Sequence, residues 1–439
     1  MAEIVILGAG AGGTSVAHRL ARRFAREVAS GATRITVVDD APHHLMQQGL
    51  LDVVFGSRPP RSVQRPRLAT LPASVTVRTA RVIRVERRES AVYLEDGTRL
   101  GYEILIIATG ARIAPLELPG LVGPGWHTSV FDFYTLRGAV ALNRALAGFS
   151  GGRFLIDIAD FPIRNPAAPV SFACLADAYF RARGIREQVE LCFLTPLPSA
   201  YPRTVAGATL DQVLAERGIT LIPDFGAARV DGVGKTLISW TGREERFDLL
   251  AIVPPHLGAE FVRCSEGLGD PLGFVLTEPR TLRARGAANI FALGDATNLP
   301  TAKTATAARY AARVVAENIA RVLAGDPHLA EYDGHGRCTV ATGPDRAIAL
   351  DYNYDVEPLP GEYPLPGIGP LQLLHESRWN AIARQTEPWF YWHVLLPGLD
   401  IPGMSARFSM AGKSGEIPNA PPGTPVALAD ASHPMETIL

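Results

Sequence analysis

Near the amino terminus, Gly8-Ala9-Gly10-Ala11-Gly12-Gly13 forms a G-x-G-x-x-G between an apolar strand pattern, AEIVIL, and a helical pattern. That spacing suits a dinucleotide. Gly8 permits a tight turn, Gly10 lets the backbone approach a pyrophosphate, and Gly13 lets helix and strand pack closely. The anion would rest on the helix N-terminus, where unpaired N–H groups and the dipole favour negative charge. Asp39 ends the next strand pattern, RITVVDD, where a carboxylate can accept from ribose hydroxyls. The alternative is a glycine-rich turn that serves backbone packing only.

Two other residue types are scarce enough to weigh. The four cysteines, Cys174, Cys192, Cys264 and Cys338, have spacings that match neither a disulfide framework nor a zinc site. Of 43 basic residues only Lys235, Lys303 and Lys413 are lysines, so a lysine is a rare choice in this chain. The ten histidines show no HExxH-type spacing, and no metal site is expected.

The elements that must position these residues follow from periodicity. In TSVAHRLARRFAREVA, Val16, Leu20 and Phe24 recur at i, i+4 and i+8, a helix face that closes a βαβ unit with RITVVDD. Strand patterns recur at EILIIATG, GRFLIDIA, QVELCFLT, LLAIVPP and NIFALGD. The predicted fold class is α/β, with two Rossmann-like domains and a C-terminal α+β region. A Gly-rich joint near residue 150 and later shifts of composition give the boundaries: 1–148 with 276–332, then 149–275, 333–405, and a Pro/Gly/Ala-rich tail at 406–439.

Composition narrows the function. A net charge of −1 provides no basic field for nucleic acid. With 47% apolar and 20% charged residues the 439-residue chain is globular, long enough for two or three domains, and free of any spanning apolar run. A strand begins straight after Met1, so no signal peptide is read and a cytoplasmic location is expected.

Thr109-Gly110 after EILIIA and Gly294-Asp295 after NIFAL resemble the two-dinucleotide-binding flavoproteins, in which the GD aspartate holds the FAD ribityl chain. With these, Val82 is assigned to the cofactor side. The second βαβ unit reads RFLIDIADFPIRNPAAPVSF and has no glycine fingerprint; Pro162, Pro166 and Pro169 remove N–H groups there. It is therefore read as a degenerate dinucleotide-type domain, without a nicotinamide site.

PHHLMQQG, Val253–His256 (VPPH), GFVLTEPRTL, GDATNLPTAKT, YDGHGRC and FYWHVLLPG resemble the sulfide:quinone oxidoreductases, with flavocytochrome c sulfide dehydrogenase as a cousin. The likeness covers most of residues 1–400, with Gln48 where that family often has proline. It implies FAD reduced by sulfide through two cysteines beside the ring and reoxidised by quinone. Thiolate chemistry suits that task, because the thiolate is both nucleophile and leaving group. Cys338 matches one cysteine; Asn165 stands where the other belongs, and Cys174, nine residues on, is not expected to reach. For Cys338 a redox role and a relic stay open. No cysteine precedes Cys174, so FAD is expected to be non-covalent.

In the same likeness, Lys303 and Thr304 precede a helix aimed at the flavin pyrimidine ring. An ammonium there would stabilise the reduced anion; a solvated surface lysine is the alternative. Leu371, Leu374, Trp379 and Ile382 are read as one helical face, followed by Trp389, Phe390, Tyr391 and Trp392 as a quinone and membrane contact. Ordinary core or a dimer contact is the alternative there. Quinone, a small donor such as sulfide, and a membrane surface are the expected partners, with homo-oligomer formation left open. A paralogue that keeps flavin, and is either a quinone reductase with another donor or an assembly or sensor component, is the competing reading.

Overall fold

Ala2–Leu7 is the centre of a five-stranded parallel sheet, ordered Ile290–Ala292, Ile104–Ile107, Ala2–Leu7, Thr33–Val38, Thr76–Arg78. The computed structural model describes residues 1–365, 369–401 and 405–414. Alternation along the central strand explains why both faces are covered. Ile4 and Ile6 point into a core with Val16 and Leu20 of the fingerprint helix, Ala11–Arg23. Val5 and Leu7 point into another, roofed by the antiparallel sheet Val82–Glu86, Ala91–Leu94, Arg99–Gly101. Phe24 is half-buried where that helix ends.

The second parallel sheet runs Val130–Phe131, Leu249–Val253, Gly152–Ile158, Val189–Leu194, Thr220–Ile222. It begins at Val130, ahead of the joint expected at 149. The return is early as well: Phe261, Val262 and Leu268 already pack with Val5 and Leu7 in the first domain's core, ahead of 276. Glycines at the joint loosen the backbone there, but side-chain burial decides which core each strand joins.

After Tyr332 the chain forms Gly336–Ala341 and Ala347–Tyr352, joined by Gly361–Leu365 and Gly369–Leu373. The helix Arg378–Phe390 follows and widens into a single π-helical turn, Tyr391–Leu395. Ser377 caps it by accepting the Trp379 N–H at 3.1 Å. Leu371 and Leu374 are not on this helix, contrary to expectation: Leu371 lies in a strand and Leu374 in a turn at φ +56. Among the described residues no helix is long and apolar enough to cross a membrane. Residues 405–414 return to this sheet, where Lys413 Nζ meets Asp351 at 2.7 Å with both side chains almost wholly buried. Residues 415–439 of the expected tail lie outside the described residues.

Candidate functional site

The fingerprint turn is glycine for reasons visible in its surroundings. A Cβ on Gly8 (φ +92) would lie 2.6 Å from the Ala108 carbonyl oxygen, and one on Gly13 would lie 1.9 Å from the Gly8 oxygen. A Cβ on Gly10 would meet nothing within 4 Å, so this backbone faces open space at the start of the helix. The Ala9 carbonyl accepts from Arg67, from Thr14 at 2.9 Å and from His44 Nδ1 at 3.0 Å. A carbonyl can only accept, so Nδ1 carries the proton and Nε2 accepts from the Tyr391 hydroxyl at 2.7 Å. His44 thus ties the turn to the C-terminal region, and burial pushes its pKa down to about 4. Asp39 is already engaged: it accepts from the N–H groups of Ala9 (2.6 Å) and Ala41 (2.9 Å) and pairs with Arg67 at 2.8 Å.

One cavity of about 380 Å³ opens from this turn. Its wall runs from Gly10 through Gln47, Thr109, Gly110, Gly294 and Asp295 to Lys303 and Thr304, then past Arg164, Asn165 and Cys338 to Glu387, Phe390 and Tyr391. Most of the residues expected from sequence therefore meet in one space. Gly8, Gly13, Asp39 and Val82 do not line it: the two glycines act through packing, and Val82 packs against the first domain's core. A dinucleotide fits what lines the wall, since Gly10 leaves room beside a helix N-terminus and the buried Thr109 hydroxyl has no partner.

Lys303 is not a surface lysine. It is 7% exposed, its ammonium donates to the Thr297 carbonyl at 2.9 Å, and burial lowers its pKa against the pull of Asp295 and Asp270. Thr304 caps the helix Ala305–Leu323 by accepting from Ala307 at 3.2 Å. Burial likewise raises the Asp295 carboxyl, opposed by Lys303 and Arg164.

Asn165 and Cys338 share the cavity wall. Asn165 has φ +44, a conformation asparagine tolerates better than most side chains. Its N–H donates to the Lys303 carbonyl at 3.0 Å, while its own carbonyl accepts from Ala168 N–H (2.9 Å) and the Tyr134 hydroxyl (3.3 Å). Its side-chain oxygen is buried without a partner. The Cys338 thiol lies 3.4 Å from the Tyr201 hydroxyl, which is 2.9 Å from that of Tyr352. Burial pushes this thiol up to about 12. Cys174 and Cys192 are buried, Cys264 is exposed, and none of the three lines the cavity.

Three contributors escaped the sequence reading. Arg164, within the quoted PIRN stretch, donates to the Tyr134 carbonyl at 3.0 Å and lines the cavity. Tyr134 carries no motif at all. Glu387 is a lone acid whose helical phase, one turn before Phe390, was the signal available.

The aromatic run divides. Tyr391 and Trp392 are buried, the latter under Arg65 at 4.4 Å, and so are not exposed to a headgroup layer. Phe390 and Tyr391 line the cavity. Trp379, Ile382 and Trp389 are 58%, 48% and 63% exposed, on one helical stripe.

Residues 2–149 match the family described as pyridine nucleotide-disulphide oxidoreductase. The chain is 25% identical over 408 residues to the mitochondrial sulfide:quinone oxidoreductase of Mus musculus, covering 90% of this chain and 86% of that one. The Dictyostelium discoideum mitochondrial enzyme of the same name is 27% identical over 362 residues, 81% of this chain and 78% of that one. In structure the chain resembles the Aquifex aeolicus sulfide:quinone oxidoreductase, with TM-score 0.74 at 18% identity over 91% of this chain and 92% of that one. A chain of the Tetrahymena thermophila mitochondrial ATP synthase shares the fold at TM-score 0.73 and 19% identity, over 90% of this chain and 94% of that one. The chain is thus similar in sequence to sulfide:quinone oxidoreductases over most of its length and shares the fold of one of them, while its residues 2–149 match the pyridine nucleotide-disulphide oxidoreductase family.

Proposed function

We propose that the protein is an FAD-dependent oxidoreductase that passes two electrons from a small donor to a quinone. The observation that carries this reading is the continuity of one cavity from Gly10 to Phe390 and Tyr391. Gly10 and the helix N-terminus would hold the pyrophosphate, and Thr109, Gly110, Gly294 and Asp295 the chain leading to the ring, while Asp39, outside the cavity wall and bonded to Ala9, Ala41 and Arg67, would brace the turn. Lys303 and Thr304 would face the ring end. The bound flavin supplies two-electron chemistry, accepting from the donor and giving to the acceptor. Lys303 stabilises negative charge there in a water-poor setting. The exposed stripe of Trp379, Ile382 and Trp389 suits docking on a membrane surface, from which a quinone can enter.

Sulfide is the first donor to test, because the curated relatives are named for it. A second reading, a donor other than sulfide, is favoured by Asn165 and by a Cys338 thiol that is kept protonated. The purified protein should be yellow; a colourless, flavin-free preparation would sink the proposal. Anaerobic sulfide and, separately, NADH should then be added to the oxidised protein. Bleaching by sulfide supports the first donor, bleaching by neither counts against turnover and for a flavin-binding assembly or sensor component, and bleaching by NADH overturns the degenerate reading of the second unit.

A further inference from the structure

The helix Arg378–Phe390 separates the cavity from the exposed Trp379, Ile382 and Trp389 stripe, and its inner face contributes Asn380, Ala383, Glu387 and Phe390 to the wall. Glu387 is the acidic side chain at this end of the cavity; the other carboxylate on its wall, Asp295, sits beside Lys303. We propose that Glu387 is the proton donor to the acceptor quinone, an inference that rests on the quinone reading above.

Reduction of a quinone to a quinol takes two electrons and two protons. A reduced flavin, when bound, would supply both electrons and one of the protons. The Glu387 carboxylic acid delivers the second to the quinone oxygen. The products are quinol, oxidised flavin and the Glu387 carboxylate, which solvent reprotonates. A donor of this kind must hold its proton within a water-poor site and stand where the acceptor enters. Burial pushes the Glu387 carboxyl toward the acid form, against a hydrogen bond with Thr339 and the guanidinium groups of Arg384 and Arg337, and Asp52 pushes the same way as burial. Arg384 also pairs with Asp52 at 3.1 Å, so its charge is shared between two carboxyl groups. Arg337 lines the same wall, with its buried Nη1 unpartnered. Cys338, next in the strand, keeps its proton and adds no charge at neutral pH.

The test bypasses the identity of the natural donor. Flavin in the holoprotein is photoreduced without oxygen, then mixed with decylubiquinone or, separately, with ferricyanide, which takes electrons without protons. Glu387→Gln should slow reoxidation by decylubiquinone about 100-fold while leaving the ferricyanide rate unchanged. The wild-type quinone rate should fall as pH rises through the carboxyl's titration, and the variant's should stay flat. Glu387→Asp should restore part of the rate. Independently of turnover, the infrared difference between flavin-free wild type and Glu387→Gln should contain a carboxylic acid C=O band at neutral pH. A quinone rate in the variant within twofold of wild type, equal slowing with both acceptors, or no acid band overturns the role of Glu387. Wild-type flavin reoxidised by ferricyanide but not by decylubiquinone overturns the quinone reading itself.

Discussion

The two parallel sheets share the order of four strands around their central strands, Ala2–Leu7 and Gly152–Ile158. The outer strand comes last of its sheet along the chain in one, Ile290–Ala292, and first in the other, Val130–Phe131; the turns that follow the central strands differ. In the first unit the turn is glycine, open at Gly10 and clamped at Gly8 and Gly13. In the second it is DFPIRNP, and its helix, Ala167–Ala182, starts at Pro166 without a side-chain cap. The second turn offers no glycine cradle of its own. It extends toward the first unit, where Asn165 binds the Lys303 carbonyl and Arg164 joins the cavity wall. One topology thus contributes a site in one copy and a wall of that site in the other.

The sharpest way to break this comparison is at Gly13. An added methyl there would sit inside the Gly8 carbonyl, a backbone contact that rotamer changes cannot relieve. Gly13→Ala should cost about 4 kcal/mol or more and abolish the yellow colour of the purified protein. Pro166→Ala in the second turn, where no cap bond is lost, should cost about 1 kcal/mol or less and keep the flavin. Denaturant unfolding and the visible spectrum check both.

A smaller effect separates the units by pH. Each holds a buried histidine: His44 behind the first turn, pushed down to about 4, and His256 against Tyr134, pushed down to about 3, burial being the main cause in both. The folded protein keeps these imidazoles neutral while the unfolded chain protonates them near pH 6.5. Their contribution is complete above that pH and is lost as pH falls through the folded values. For His44 the loss between pH 6.5 and 4 should be about 3 kcal/mol. His44→Gln should roughly halve the slope between pH 6.5 and 4, leaving the loss from His256, which spans the same range and continues to about pH 3. Urea midpoints measured across pH 7 to 4 check this.

The first unit was the more legible in sequence because its constraints are local. Gly8, Gly10 and Gly13 answer to backbone geometry within six residues, and Thr109, Gly294 and Asp295 each end a strand pattern. The second unit's contribution depends on which surface its turn meets, and that is tertiary information. In sequence Asn165 therefore reads only as a departure from the likeness, and no local pattern marks Arg164, one residue before it. At the C-terminus the aromatic run was visible but its division was not. Tyr391 is buried with its hydroxyl on His44 Nε2, some 350 residues earlier in the chain, whereas Trp389 stacks on His393 of its own segment and stays exposed. Leu371 and Leu374 fit a helical period that a strand and a left-handed turn override.

The smallest expected effect sharpens the comparison most, at Asn165 itself. Its φ of +44 favours Asn or Gly over side chains branched or bulky at Cβ, so backbone and chemistry can be separated by substitution. Asn165→Gly keeps the conformation and should change stability by less than about 0.5 kcal/mol, whereas Asn165→Ala should cost about 1 kcal/mol. Asn165→Cys should pay a similar conformational penalty while restoring a thiol on the wall that carries Cys338. If the scaffold is otherwise intact, that variant should gain sulfide-dependent bleaching of the flavin despite being slightly less stable. If it binds flavin normally yet responds to sulfide no better than Asn165→Ala, the missing cysteine is not what limits sulfide chemistry. The limit would then lie with the Cys338 thiol, which burial holds in its protonated form against the pull of the Tyr201 hydroxyl.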